Sequence, residues 1–145
     1  MKPKNCLIFG GSGQIGRHLI RKLTKNDIRV TVVTRNIHQK SYIIKTQGNA
    51  GYIDVVEANI YDEQKIRTLF QKADLCINLV GILFEKSKGN TFYNIHTLFP
   101  SILSKLSTGG VAAEILKEAA NRNRIIMCMM VSRILLVWFR QMARN

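Results

Sequence analysis

Short apolar runs alternate with longer amphipathic segments along the first 107 residues of the chain. The apolar runs predict four buried strands, at Cys6–Phe9, Val30–Val33, Ile53–Ala58 and Leu75–Val80. The segments between them have helical periodicity or loop composition. Strands that alternate with helices in this way predict βαβ units, and therefore a parallel sheet with helices on its faces.

The first and third predicted helices each have one apolar face. In the first, Ile15, Leu19 and Leu23 recur every four residues, and Ile20 lies beside them. In the third, Asp62 is placed to cap a helix, and the apolar residues that follow it are Ile66, Leu69 and Phe70. The second helix, over residues 37–46, has a weaker pattern.

A fourth helical pattern follows the last of these strands. Apolar residues keep helical spacing from Phe92 to Leu106, but Pro100 lies within this stretch. Proline has no backbone N–H and is tolerated only in the first turn of a helix. We therefore expect either a helix that starts near Thr97, with Pro100 in its first turn, or a longer helix that kinks at Pro100.

The regular pattern ends near Ser107. A Thr-Gly-Gly break and a short amphipathic segment follow, and residues 125–139 are then almost wholly apolar, with Arg133 near the middle. Fifteen such residues fall short of the ~20 that cross a bilayer. We expect a buried strand or helix there, with a membrane-surface helix as the alternative. The chain thus divides into a folded part, 1–107, and an atypical apolar and basic tail, 108–145.

Composition and charge narrow the classes of partner. The chain has 145 residues, enough for one core, and 46% of them are hydrophobic, which argues against disorder. The net charge of +13 favours an anionic partner. The basic residues are scattered and form no block of five like charges, so we do not expect nucleic-acid binding.

Cysteine and histidine placement indicates no metal site. Cys6, Cys76 and Cys128 are far apart and odd in number, and the three histidines lack supporting ligands at metal-binding spacing. We expect the cysteines to be core residues in a reducing compartment. The first apolar run is also too short for a signal peptide, so a cytoplasmic location is expected.

A glycine-rich turn, Gly10-x-x-Gly13-x-x-Gly16, follows the first strand and opens the first helix. A diphosphate held there must approach the backbone closely, which excludes side chains, and the helix directs free N–H groups and its positive dipole end at the phosphates. The last glycine lets the helix pack against the strand. Because the pattern lies in this context, it predicts a dinucleotide site rather than a plain glycine turn.

The end of the second strand bears on which dinucleotide is bound. An acidic residue there would favour NAD(H), but the sequence reads Thr34-Arg35. A guanidinium binds phosphate through two hydrogen bonds, so Arg35 could pair with a 2′-phosphate. The alternative is an ordinary exposed arginine. On this pattern NADP(H) is favoured over NAD(H).

The glycine turn together with Arg17-His18-Leu19 resembles the atypical and extended short-chain dehydrogenase/reductases of the NAD-dependent epimerase/dehydratase superfamily. The stretches 73–82 and 94–97 are similar, more specifically, to bacterial relatives of the nucleotide-binding accessory subunit of respiratory complex I. The resemblance covers about residues 4–107. It implies an α/β fold, a Rossmann-like parallel sheet with flanking helices, truncated on its C-terminal side.

The resemblance also implies further cofactor contacts. Backbone groups of Ser12, Gln14 and Ile15 would bind the diphosphate. Asn59 and Ile60 would lie against adenine, and Leu79, Val80 and Gly81 would line the ribose next to nicotinamide.

The catalytic residues of such reductases have no counterpart where the family would place them. A Tyr-x-x-x-Lys pair belongs beyond the fifth strand, and the chain past Ser107 contains no tyrosine. Tyr61 and Lys65 match the spacing but are expected on the adenine side, so we treat them as coincidence. His96 is expected to be structural. We predict no catalytic residue and expect the chain to be inactive.

Three functions remain open at this point. The leading one is an NAD(P)-binding protein of the reductase superfamily, ancestrally an oxidoreductase or epimerase, that lacks the catalytic half. The alternatives are a non-catalytic accessory or assembly protein of a respiratory membrane complex, peripheral to the inner membrane, and a non-functional gene remnant. Because the tail lacks a recognisable fifth strand and active-site serine, we expect a truncated or shifted reading frame, which comparison of the downstream DNA in three frames would test.

Overall fold

The computed structural model describes residues 4–85, 90–107 and 125–127. Its strands form one parallel sheet in the order β3-β2-β1-β4-β5. They are β1 (Asn5–Phe9), β2 (Arg29–Thr34), β3 (Ile53–Glu57), β4 (Leu75–Asn78) and β5 (Ile125–Met127). The four predicted strands and the α/β class are confirmed.

Helices cover both faces of this sheet. They are α1 (Gln14–Lys25), α2 (Ile37–Lys45), α3 (Glu63–Gln71) and α4 (Phe99–Ser107), and a π-helical turn (Asn94–Leu98) leads into α4. Alternate residues of β1 point to opposite sides, as a pleated strand requires. Cys6 and Ile8 pack in the core beneath α1 and α2, and Leu7 and Phe9 pack in the core beneath α3 and α4.

The order of the strands places a switch point at β1. From β1 the chain builds outward to β2 and β3 on one side, then returns to add β4 and β5 on the other. The connections that leave the carboxyl ends of β1 and β4 therefore diverge and open a crevice between them. Ligands of open α/β sheets bind in such a crevice.

The buried face of α1 differs by one position from the predicted one. Gly16, Ile20 and Thr24 are its buried residues, whereas Ile15 is 38% exposed. The helix rotates in this way because Gly16 lies directly on the glycine turn. Thr24 is buried without penalty, since its hydroxyl donates to the Ile20 carbonyl at 3.0 Å.

The third helix follows the sequence prediction closely. Ile66 and Phe70 are buried, and Leu69 packs against the same core. The Asp62 carboxylate accepts a hydrogen bond from the backbone N–H of Lys65 at 3.1 Å, so the predicted cap is confirmed.

The helix that contains Pro100 does not begin near Thr97. Helical hydrogen bonding is already present at Ile95, whose N–H donates to the Thr91 carbonyl at 3.1 Å. Pro100 has no N–H to donate to the carbonyl four residues earlier. The π-helical turn just before Pro100 shifts the hydrogen-bond pattern by one residue. The helix therefore continues through Pro100.

The tail contributes a strand to the sheet, in line with the strand alternative expected for residues 125–139. Residues Ile125–Met127 pair in parallel with β4, in the register Leu75↔Ile125 and Ile77↔Met127. Without this strand β4 would present an unpaired sheet edge. The rest of the tail prediction, including Cys128, lies outside the described residues. In the described ranges no helix has the length and hydropathy to cross a bilayer.

The two described cysteines are core residues, as expected. Cys6 and Cys76 are buried thiols on neighbouring strands, and they belong to the cores on opposite faces of the sheet. Burial raises the pKa of the Cys6 thiol from 9.0 to about 12. The native state therefore keeps this proton at pH values where the unfolded chain loses it.

This raised pKa predicts a loss of stability in alkali. Below pH 9 both states hold the proton and the contribution is complete, and it is lost as the pH rises toward 12. Between pH 8 and pH 10 the wild type should lose about 1.4 kcal/mol more than Cys6→Ala in free energy of unfolding, measured by urea titration in a reducing buffer. An equal loss in both proteins would show that Cys6 does not contribute.

Candidate functional site

The glycine turn begins where β1 ends, beside the end of β4. Gly10 has a φ of +79°, a left-handed conformation that favours glycine. A Cβ on Gly10 would lie 2.8 Å from the carbonyl carbon and oxygen of Leu79. Gly10 is therefore required by the close approach of the two strand ends, independently of any ligand.

Gly16 is required by the packing of α1 on this turn. A Cβ there would lie 2.6 Å from the Gly11 Cα and 2.7 Å from the Gly10 carbonyl oxygen. The absence of a side chain brings the first turn of α1 directly onto the backbone of the loop. This contact fixes the direction in which the helix leaves the strand.

Among the described residues, nothing in the fold requires a glycine at position 13. Its backbone is extended (φ −71°, ψ 171°), a conformation open to any residue. The nearest atom to an added Cβ would be the Gly10 carbonyl oxygen at 3.5 Å, an ordinary contact, and the residue is exposed. A glycine is needed here only if something outside the chain approaches the backbone closely.

The N-terminus of α1 lacks the caps that two later helices have. Side chains of Asn36 and Asp62 accept hydrogen bonds from the first turns of α2 and α3, at 3.2 and 3.1 Å. Gly13 supplies no such cap to α1, and the first turn of α1 contains no acidic residue. Its N–H groups and positive dipole end are thus left for an anion.

Arg17 adds a further unsatisfied group in this turn. Its Nε is the one buried side-chain polar atom without a hydrogen-bond partner in the part of the chain that the structure describes. A buried donor left unpaired is costly. Its position directly after Gly16 adds a positive charge at the glycine turn.

The end of β4 is fixed beside this turn by two hydrogen bonds. The Leu79 N–H donates to the Phe9 carbonyl at 2.9 Å, and the Val80 N–H donates to Oδ1 of the buried Asn78 at 3.0 Å. Gly81 follows and is exposed. The structure thus brings residues 79–81 next to the glycine turn. Sequence reasoning missed Asn78, although a polar residue that ends an apolar strand was the available signal.

The end of β2 lies on the other side of β1, at the same edge of the sheet. Thr34 accepts hydrogen bonds at its carbonyl from Ala58 N–H at 3.0 Å and at its hydroxyl from Asn36 N–H at 3.4 Å. Arg35 is exposed, and its Nη1 donates to Oδ1 of Asn90 at 3.4 Å. A guanidinium is therefore present at this edge.

Asn59 and Ile60 follow β3, two strands away from β1. The Ile60 side chain is buried in the core with Phe9, and the exposed Asn59 accepts a hydrogen bond from the Tyr61 N–H at 3.1 Å. Tyr61 and Lys65 also lie on this side, so β1 and β2 separate them from the end of β4.

His96 has structural partners. Its Nε2 lies 3.3 Å from the Ile82 carbonyl oxygen, and its ring stacks on Phe92 with centroids 6.0 Å apart. The imidazole thus ties the π-helical turn to the segment after β4, which supports the predicted structural role. Among the described residues no group of three His, Cys, Asp or Glu side chains could hold a metal ion.

Residues 2–92 match the sequence profile of the NmrA-like family. The NADH-ubiquinone oxidoreductase 40 kDa subunit of Neurospora crassa is 26% identical over 89 residues, which are 61% of this chain and 23% of that protein. NADH dehydrogenase [ubiquinone] 1 alpha subcomplex subunit 9 of Arabidopsis thaliana is 31% identical over 78 residues, 54% of this chain and 19% of that protein. The chain thus matches about a quarter or less of the length of these relatives.

Solved structures of low identity share the fold. The Bordetella bronchiseptica enzyme WbmG, in complex with NAD and UDP, superposes with a TM-score of 0.61 at 16% identity, covering 77% of this chain and 36% of that one. A short-chain dehydrogenase/reductase from Serratia marcescens superposes with a TM-score of 0.59 at 12% identity, covering 73% and 50%. These likenesses show that the chain has a Rossmann-like fold.

Proposed function

The chain belongs to the NmrA-like family, and we propose that it binds a nicotinamide dinucleotide across the carboxyl ends of β1 and β4. Gly13 carries this proposal. It is a glycine whose conformation and neighbours would accept a side chain, at the uncapped end of α1. A diphosphate that lies against the backbone supplies the missing reason for it. WbmG, which shares the fold, was solved with NAD bound.

The residues at the crevice fit the parts of such a molecule. The N–H groups of Ser12, Gln14 and Ile15 would donate to the diphosphate at the start of α1. The nicotinamide side would lie along residues 79–81, which flank Gly10, and the adenine side would extend past β2 toward residues 59–60. When bound, the nicotinamide would supply hydride chemistry. The residues named above would bind and orient the dinucleotide.

We further propose that NADP(H) is preferred over NAD(H). Arg35 is an exposed cation at the end of β2, the position that contacts the adenosine ribose in dinucleotide-binding sheets. Its hydrogen-bond partner Asn90 is a neutral amide, so the guanidinium retains its charge for a 2′-phosphate.

Arg35→Ala tests this preference. Loss of a charge-assisted phosphate contact should weaken NADPH binding by about tenfold or more and leave NADH binding unchanged, as measured by titration of nucleotide fluorescence. Arg29→Ala is the matched control, because Arg29 is exposed at the opposite end of the same strand. Equal effects of Arg35→Ala on both nucleotides, or tighter binding of NADH by the wild type, would contradict the preference.

A second candidate function is a nucleotide-stabilised accessory subunit of a respiratory membrane complex, peripheral to the inner membrane on the cytoplasmic side. Two of the matched relatives bear the names of mitochondrial NADH dehydrogenase subunits. In this role the bound nucleotide would stabilise the fold rather than take part in a reaction. Native electrophoresis of detergent-extracted membranes from cells expressing the tagged full chain should show co-migration with NADH-oxidising activity. Migration as a free protein would exclude the role.

A further inference from the structure

Part of the segment between β4 and α4, at Asn90, lies beside the end of β2. Asn90 lies in this segment, and its Oδ1 accepts the hydrogen bond from Arg35 Nη1 at 3.4 Å. Because β1 lies between β2 and β4, a contact between these two residues spans the carboxyl end of β1, where the glycine turn begins. Asn90 therefore lies beside the proposed nucleotide site although 55 residues separate it from Arg35.

Two hydrogen bonds restrain the residues that directly follow Asn90. The Phe92 N–H donates to Oε1 of Glu85 at 2.6 Å, which joins the two ends of the segment. The Asn94 N–H donates to the Thr91 hydroxyl at 3.1 Å at the start of the helix. Asn90 thus directly precedes a capped helix start, and its side chain is only partly exposed.

Asn90 can orient the Arg35 guanidinium without neutralising its charge. An amide oxygen accepts one of the five guanidinium N–H groups and carries no charge. A carboxylate in the same place would form a bidentate ion pair and cancel the charge of Arg35. The neighbouring carboxylate by strand register, Glu57, is opposite Thr34 rather than Arg35.

We propose that Asn90 is a positioning residue for Arg35, which it holds with free N–H groups directed toward a phosphate on the adenosine ribose 2′-oxygen. This inference rests on the proposed dinucleotide binding and deepens it. It assigns part of the choice between phosphorylated and unphosphorylated adenosine to the segment after β4. The amide at position 90 is thus a determinant of specificity.

Asn90→Asp tests this role because the substitution preserves shape and changes only charge and donor pattern. The probes are 2′,5′-ADP and 5′-ADP, bound to the full chain and measured by calorimetry, with NADPH and NADH as a second pair. We expect Asn90→Asp to weaken 2′,5′-ADP by about tenfold or more, the size of a lost charge-assisted hydrogen bond, and to leave 5′-ADP unchanged. Asn49→Asp, an exposed residue before β3 at the opposite sheet edge, is the matched charge control.

A double-mutant cycle separates the possible outcomes. In an Arg35→Ala background, Asn90→Asp should have no further selective effect, because the two residues act through one contact. If Arg35→Ala selectively weakens 2′,5′-ADP and Asn90→Asp does not, the role of Asn90 is overturned and the proposed function stands. If neither nucleotide pair binds the wild type, the proposed function fails and this inference fails with it.

Discussion

Replacement of Gly13 by aspartate should stabilise the free protein while it abolishes nucleotide binding. Gly13 is the N-cap of α1 and provides no side chain to its first turn. A carboxylate there can accept from the free N–H groups and complement the helix dipole, which should raise the free energy of unfolding by about 0.3–1 kcal/mol. The space allows this substitution, because an added Cβ meets only an ordinary contact at 3.5 Å.

The same carboxylate would occupy the place proposed for the diphosphate. Two unit charges about 4 Å apart repel by about 4 kcal/mol at an effective dielectric constant near 20, which corresponds to well over a hundredfold in affinity. Urea unfolding and calorimetric titration with NADPH measure the two effects on one sample. Gly13→Asn is the control, since it caps the helix without charge and should lose less affinity. Unchanged NADPH binding by Gly13→Asp would contradict the placement.

Gly10→Ala should destabilise the protein by about 2–5 kcal/mol. A residue with a Cβ at a φ of +79° incurs about 1–2 kcal/mol of backbone strain. The Cβ would also lie 2.8 Å from the Leu79 carbonyl group, and because this neighbour is backbone, β1 or β4 would have to move. Overpacking of this kind adds about 1–3 kcal/mol.

Gly51→Ala is the matched control for this second prediction. Gly51 has a similar φ of +83°, but nothing lies within 4 Å of its added Cβ. It should therefore show the backbone strain alone, about 1–2 kcal/mol. The difference between the two variants, from urea unfolding, measures the contact between the ends of β1 and β4. Equal destabilisation by both would show that the two strand ends do not restrict position 10.

The fold was largely predictable because its signals are local. Each core strand is an uninterrupted apolar run, and caps such as Asp62 are set by residues three positions apart. The errors came from contacts between distant residues. Gly16 rotates α1 because it lies on the glycine turn, and Pro100 is accommodated by a widened turn that spacing alone does not reveal.

The site was predictable only where its signals are local in the sequence. The sequence pattern already gave Gly16 a packing role, but it did not distinguish Gly10 from Gly13. The structure does: the fold requires Gly10 and Gly16 but not Gly13. Asn78 was missed although its hydrogen bond to Val80 is local and a polar residue at the end of an apolar strand signalled it. Asn90 was missed because its role depends on a neighbour brought close by the strand order. The contact between Asn90 and Arg35 illustrates this, since no sequence period relates the two positions.

Dinucleotide binding at Gly13 is tested most directly by thermal unfolding of the full chain, with and without NADPH. The Gly13→Asp variant is measured in parallel. A ligand at 100 times its dissociation constant should stabilise the wild type by about 2.7 kcal/mol, seen as a rise in Tm. We expect this rise for the wild type, a smaller one with NADH at the same concentration, and none for Gly13→Asp. No rise with either nucleotide, or an equal rise in the variant, would contradict it.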